Sequence, residues 1–213
     1  MIIYGSSMSP FVRKVAALAN EKALAFDLKA ISLGDPDPAF RAVSPFAKMP
    51  AMDDEGFGLA DSSAICHYLE AKFPQPALIP SDARLRGRTI WFDEFADTLL
   101  FAAIAPIFFN RVVAPRFVRR EGDMAAADKA EQEALPPVLD YLETQIGEGD
   151  FLVGGSLTLA DLAVASPFAN LDHCRVAIDP ARYPRVTRYS KAILARPSFA
   201  GMVERERAFL ART

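Results

Sequence analysis

Apolar positions change their period once along this chain of 213 residues, and the change divides it in two. Up to about residue 76, short runs of period two alternate with runs of period 3.6; from about residue 84 only the helical period recurs. Ile2-Ile3-Tyr4 is an apolar run stopped by Gly5-Ser6-Ser7. Val12, Val15, Ala16 and Ala19 then follow at i, i+3, i+4 and i+7, so a strand leads into a helix. Phe26 to Ile31 alternates apolar and polar residues as a half-buried strand does. A short helical piece over Pro38 to Val43 precedes Pro50-Ala51-Met52 and Phe57-Gly58-Leu59, which the acidic turn Asp53-Asp54-Glu55-Gly56 joins as a hairpin. Ile65, Tyr68 and Leu69 mark one face of a helix that stops before Phe73-Pro74. The order β-α-β-α-β-β-α, then helices alone, predicts an α/β domain over residues 1–76 followed by an all-helical domain over 84–213.

Phe73 to Pro80 holds three prolines in eight residues, which keeps the chain extended and marks the linker. Trp91, Phe95 and Leu99 recur every four residues in a long helix that begins near Ala83, and Pro106 is expected to kink or end it. This face reads as core or interface. Leu135, Val138, Leu139 and Leu142 predict an amphipathic helix that stops at Gly147. Thr158-Leu159-Ala160-Asp161 is a capping box: Thr158 caps the Asp161 amide, the carboxylate reaches back, and Leu157 and Leu162 form the staple. A helix ends at Arg196 before Pro197, and the last runs from Phe199 to Leu210.

Composition narrows the function more than the fold. With 24 basic and 27 acidic residues the formal charge is −3, which offers no electrostatic footprint for nucleic acid. The longest apolar run, Leu99 to Phe109, has 11 residues against the roughly 20 of a membrane span, so no transmembrane segment is expected. Met1-Ile2-Ile3-Tyr4 carries no signal-peptide pattern, and the expected location is cytoplasmic. Cys66 and Cys174 form neither a CxxC pair nor a metal cluster, so neither a disulfide framework nor a metal is expected. Cys66 reads as a small core filler, and His67 and His173 have no partner pattern.

The first loop carries the candidate chemistry. Ser9 before Pro10 is a common helix start, with serine as N-cap and proline at the first helical position. A hydroxyl there also sits among free N–H groups that favour an anion such as a thiolate.

Tyr4-Gly5-Ser6-Ser7-Met8-Ser9-Pro10-Phe11-Val12-Arg13-Lys14-Val15 resembles the first motif of cytosolic glutathione transferases that use serine, of the tau/zeta-like and related bacterial kind. Ser44-Pro45-Phe46-Ala47-Lys48-Met49-Pro50-Ala51-Met52 is similar to the family segment around a cis-proline. Asp61-Ser62-Ser63-Ala64-Ile65 resembles its acidic-Ser pair, and Thr158-Leu159-Ala160-Asp161 the capping box of its helical domain. The four motifs stand in the family's order over nearly the whole chain.

The resemblance implies a thioredoxin-like N-terminal domain that binds glutathione as co-substrate, an all-helical domain that supplies the pocket for a small hydrophobic electrophile, and a homodimer with the third and fourth helices at its interface. It implies Ser9 as the catalytic hydroxyl on the glutathione sulfur, Met49 before Pro50 pairing through its backbone with the cysteinyl part, Asp61 and Ser62 at the γ-glutamyl end, and Lys48 near the glycine carboxylate. Serine stands where thiol-transferring classes carry cysteine, which points to conjugation in detoxification or to peroxide reduction. Ser7-Met8-Ser9 differs from the Ser-Ser-Cys of zeta-like isomerases, and Met49 replaces the usual Val or Ile. Two alternatives stay open: a non-catalytic binding or regulatory protein of the same fold, and a glutathione-dependent isomerase or lyase.

Overall fold

The computed structural model describes residues 1–212. β1 (Ile2–Tyr4), α1 (Pro10–Glu21), β2 (Asp27–Lys29), α2 (Pro38–Val43), β3 (Ala51–Asp54), β4 (Phe57–Ala60) and α3 (Ser62–Lys72) follow in the predicted order. The sheet runs β2-β1-β3-β4, with β1 parallel to β2 and antiparallel to β3. β2 is shorter than the alternating run because β1 offers three residues to pair, Ile2 with Asp27 through Tyr4 with Lys29.

After the linker come α4 (Ala83–Val118), α5 (residues 124–145), α6 (Leu159–His173), α7 (Pro184–Leu194) and α8 (Pro197–Ala211). Of the two outcomes expected at Pro106, an end to the helix does not occur: α4 continues through it to Val118. Turns of wider hydrogen bonding at Ala96–Leu100 and Phe109–Val118 flank it, and the Asn110 side-chain amide donates to the Pro106 carbonyl at 2.9 Å. Such turns accommodate a proline that removes one backbone donor. By length and composition alone α4 is apolar enough to cross a membrane, but Leu100, Ile104 and Ile107 are buried in the core of the helical part, where α4 packs on α6. α5 starts well before Leu135: Asp123 caps it by accepting the Ala126 N–H at 2.9 Å, and Met124-Ala125-Ala126-Ala127 is a strong helix former.

α6 is the axis of the molecule. Leu159-Ala160-Asp161-Leu162-Ala163-Val164-Ala165-Ser166-Pro167-Phe168-Ala169-Asn170-Leu171 is nearly apolar all round, and every one of these residues is buried. The capping box forms at its start, and the Asp161 carboxylate does more than cap. It accepts the Thr158 N–H (2.8 Å) and hydroxyl (3.2 Å), the Leu152 N–H (2.8 Å) and the Tyr189 hydroxyl (3.0 Å). Burial pushes its pKa up, and these donors offset part of that.

One apolar cluster runs from Ile3 and Val15 through Leu100 and Leu162 to Phe199, so the sheet and the helical part share a core. Lys22 pins the linker: its buried ammonium pairs with Glu70 (2.6 Å) and donates to the carbonyls of Phe73 (2.8 Å) and Pro76 (2.7 Å). Glu70 in turn accepts the N–H groups of Leu78 and Ile79.

Candidate active site

The loop between β1 and α1 turns tightly. Gly5, at φ +148°, donates its N–H to Lys29, and a Cβ there would fall 2.5 Å from a methyl of Val12. Only glycine fits that approach. Ser9 then takes the N-cap position with Pro10 behind it, but its hydroxyl makes no capping hydrogen bond. Of the three loop serines, Ser6 accepts the Met8 N–H (3.3 Å) and Ser7 lies near enough to Glu206 to lower its carboxyl pKa, while the half-buried Ser9 hydroxyl stands at the helix N-terminus with no hydrogen-bond partner among the described residues.

A cleft of about 630 Å³ opens beside this loop, between the segment from Ser44 to Pro50, the junction of β4 and α3, and the α4 residues Glu94, Asp97 and Thr98. Lys48, Met49, Pro50, Asp61 and Ser62 all line it. Ser9 does not; Phe11, two positions on, lines it instead and meets Phe101 of α4 edge-on at 4.6 Å. The Met49–Pro50 bond is cis. Ser44, 1% exposed, fixes the segment by donating to the Lys48 carbonyl (2.7 Å) and accepting the Lys48 N–H (3.0 Å). The Lys48 side chain is left exposed at the cleft.

Asp61 lines the cleft and also starts α3. Its carboxylate caps α3 by accepting the Ala64 N–H at 3.0 Å, and its backbone stands at φ +83°, a left-handed value that costs a non-glycine residue about 1–3 kcal/mol. Ser62 is buried, and its hydroxyl is committed: it donates to Asp97 Oδ2 at 3.0 Å.

Asp97 is the residue sequence reasoning missed. Its Oδ2 also accepts from Ser63 (3.2 Å) and from the Lys14 ammonium (2.6 Å), which bonds Asp93 at 2.7 Å as well. One cation thus faces two carboxylates, and the cluster carries a net negative charge at the cleft wall. Burial would lower the Lys14 pKa, but Asp93 and Asp97 more than reverse this and hold the ammonium charged. Burial, only partly countered by Lys14, raises the Asp97 carboxyl. The available signal was a lysine inside the apolar face of α1 together with two acids four apart among Phe92, Phe95 and Ala96.

Beneath the loop lies a second buried cluster. Arg13 is bidentate with Glu206 (3.2 and 2.8 Å), and His173 bonds the same carboxylate at 2.8 Å, a partner the sequence did not suggest. Burial pushes Glu206 up, but Arg13 and these hydrogen bonds bring it below the ordinary range. Cys66 and Cys174 are free and buried; burial raises both thiols, Cys174 to about 12, so neither supplies a thiolate.

Residues 3–77 match the profile of the glutathione S-transferase N-terminal domain, and residues 108–205 that of its C-terminal domain. Glutathione S-transferase 3 of Zea mays is 31% identical over 92% of this chain and 90% of its own. Maleylacetoacetate isomerase of Rattus norvegicus is 28% identical over 75% of this chain and 69% of its own. The structure of glutathione transferase F7 from Populus trichocarpa superposes with a TM-score of 0.83 at 27% identity, covering 95% of this chain and 97% of that one. With both domain profiles in order and a relative of this identity along nearly its full length, the chain belongs to the glutathione S-transferase family of enzymes.

Proposed function

We propose that the chain activates the thiol of glutathione through the Ser9 hydroxyl for attack on a small hydrophobic electrophile, with peroxide reduction as a related activity. The observation that carries this reading is the uncommitted Ser9 hydroxyl at the N-terminus of α1, beside a cleft that gathers Lys48, Met49, Pro50, Asp61 and Ser62. Lys48 takes the glycine carboxylate, and the backbone of Met49 pairs with the cysteinyl residue. Asp61 and Ser62 take the γ-glutamyl end, whose ammonium finds an anion in Asp97. The glutathione-binding unit is 1–76 and the unit that completes the electrophile side is 84–213, with Phe11 and Phe101 an aromatic wall between them.

The energetics suffice without a general base. Lowering a thiol from about 8.5 by about two pH units takes about 2.7 kcal/mol. A charge-assisted hydrogen bond supplies roughly 1.5–3 kcal/mol and a helix N-terminus about 0.3–1 kcal/mol. Ser9 need only donate.

A homodimer is part of the proposal. Trp91 and Leu99, 48% and 52% exposed, rim an apolar hollow of about 420 Å³ on α4 and α5 that suits a second copy. The proposed location is cytoplasmic. The rat isomerase relative favours glutathione-dependent isomerisation as a second reading, against which the Ser7-Met8-Ser9 loop stands.

Turnover of glutathione with 1-chloro-2,4-dinitrobenzene tests the first reading. Ser9→Ala should lower kcat by about tenfold or more while glutathione affinity, read by calorimetry, changes little. Retained turnover would assign the sulfur to another group.

A further inference from the structure

We propose that Asn170 and Ser166 of α6 are positioning residues for the Ser9 hydroxyl, gripping the backbone on both sides of it. The proposal rests on the Ser9 reading above. Asn170 Nδ2 donates to the Met8 carbonyl at 2.9 Å, and Ser166 Oγ donates to the Pro10 carbonyl at 2.7 Å. The two carbonyls bracket Ser9, and the two side chains stand one helical turn apart on one face of α6. Each is 1% exposed, so these donors act where water has little access.

Arg13 fixes which way both donors point. Its Nη1 donates to Asn170 Oδ1 (3.0 Å), which commits the amide oxygen and leaves Nδ2 for Met8. The same nitrogen donates to the Ser166 carbonyl (2.7 Å) and to Ser166 Oγ (3.4 Å), which directs the hydroxyl proton to Pro10. Glu206 holds Arg13 from α8 through two hydrogen bonds, at 3.2 and 2.8 Å. The placement of Ser9 is therefore set from the helical half of the molecule, although the residue belongs to the loop after β1. Because a hydroxyl stabilises a thiolate only at hydrogen-bond distance, a small shift of this loop weakens sulfur activation without touching the contacts at the ends of glutathione.

Two near-isosteric variants test this. Asn170→Asp keeps the acceptor for Arg13 and replaces the donor to Met8 by an oxygen; Ser166→Ala removes only the donor to Pro10. The pKa of enzyme-bound glutathione is read from thiolate absorbance against pH, beside kcat, KM and the thermal midpoint. In both variants the bound thiol should rise by about one pH unit, with kcat at acidic pH falling about tenfold and KM for glutathione within about twofold. A purely structural role would lower the thermal midpoint and leave the thiol pKa alone. Folded variants with wild-type thiol pKa and kcat would overturn the proposal, as would failure of both to fold. Ser9→Ala is the control: if it raises the thiol pKa while the α6 variants do not, the positioning role alone fails. If Ser9→Ala leaves that pKa unchanged, the Ser9 reading falls and this proposal with it.

Discussion

Asp97→Asn changes one charge in the cleft wall and little else. Lys14 keeps Asp93 at 2.7 Å, and the new amide oxygen still accepts from Ser62, so the cluster passes from a net negative charge to neutrality with its shape preserved. In the proposed complex the γ-glutamyl ammonium then loses its anion. At about 4 Å and an effective dielectric of 20 the bare attraction is about 4 kcal/mol, and desolvation of both groups takes back part of it. Asp97 is 19% exposed at the cleft, and charge-assisted hydrogen bonds of this kind net roughly 1.5–3 kcal/mol, so about 2 kcal/mol, or about 30-fold in Kd, is expected. Calorimetric titration of wild type and variant with glutathione, and with glutaryl-cysteinylglycine that lacks the ammonium, closes a double-mutant cycle. The pH dependence has a fixed sign. The Asp97 carboxyl is raised, chiefly by burial, so acidification protonates it early; wild-type affinity falls as pH drops through that raised value and recovers above it, and Asp97→Asn is flat. Equal losses for both ligands, a coupling near zero, would refute the placement of the ammonium beside Asp97.

Lys22→Met leaves Glu70 buried without its cation while Leu78 and Ile79 still donate to it; a loss of about 3 kcal/mol in urea unfolding is expected, partly recovered by Lys22→Met/Glu70→Gln. Asp161→Asn turns one of the carboxylate's two acceptor oxygens into a donor facing donors, and stability should fall by about 2–4 kcal/mol in the same assay. If the proposed dimer forms through the apolar hollow, Trp91→Glu places a charge there, so sedimentation should move from dimer toward monomer with the monomer still folded; an unchanged dimer would refute that interface.

Local chemistry made much of this molecule legible in its sequence. The Ser9-Pro10 start, the hairpin around Asp53 to Gly56 and the Thr158-Asp161 box are each decided within a few residues, and each stands near its predicted place. Lys48, Met49, Pro50, Asp61 and Ser62 converge because a resemblance in order along the chain carries tertiary information that periodicity lacks. Whether Pro106 ends its helix is not legible locally, because a proline's effect depends on whether neighbouring turns can widen. Asp97, Ser166 and Asn170 were invisible for a different reason: each acts on a residue more than 30 positions away, and nothing local marks an acid or an amide on a helix as aimed at a particular loop.

α1 explains why those distant contacts are polar rather than apolar. With its C-cap residue it buries three cations, Arg13, Lys14 and Lys22, and each is taken by acids of a different element: Glu206 of α8, Asp93 and Asp97 of α4, and Glu70 of α3. Buried pairs of this kind seldom add stability over a hydrophobic replacement, because desolvation offsets most of the attraction. What they add is direction. An apolar interface between α1, α4 and α6 tolerates a small rotation or slide with little change in buried area, whereas a bidentate Arg13–Glu206 pair and a lysine shared by two carboxylates at 2.6 and 2.7 Å do not. Ser9 sits at the head of that same helix, with the aromatic pair Phe11 and Phe101 spanning from α1 to α4. Fixing α1 against both neighbours therefore fixes the distance between the hydroxyl proposed to activate the sulfur and the wall against which the proposed electrophile rests, the one distance that a two-substrate reaction across this junction cannot leave free.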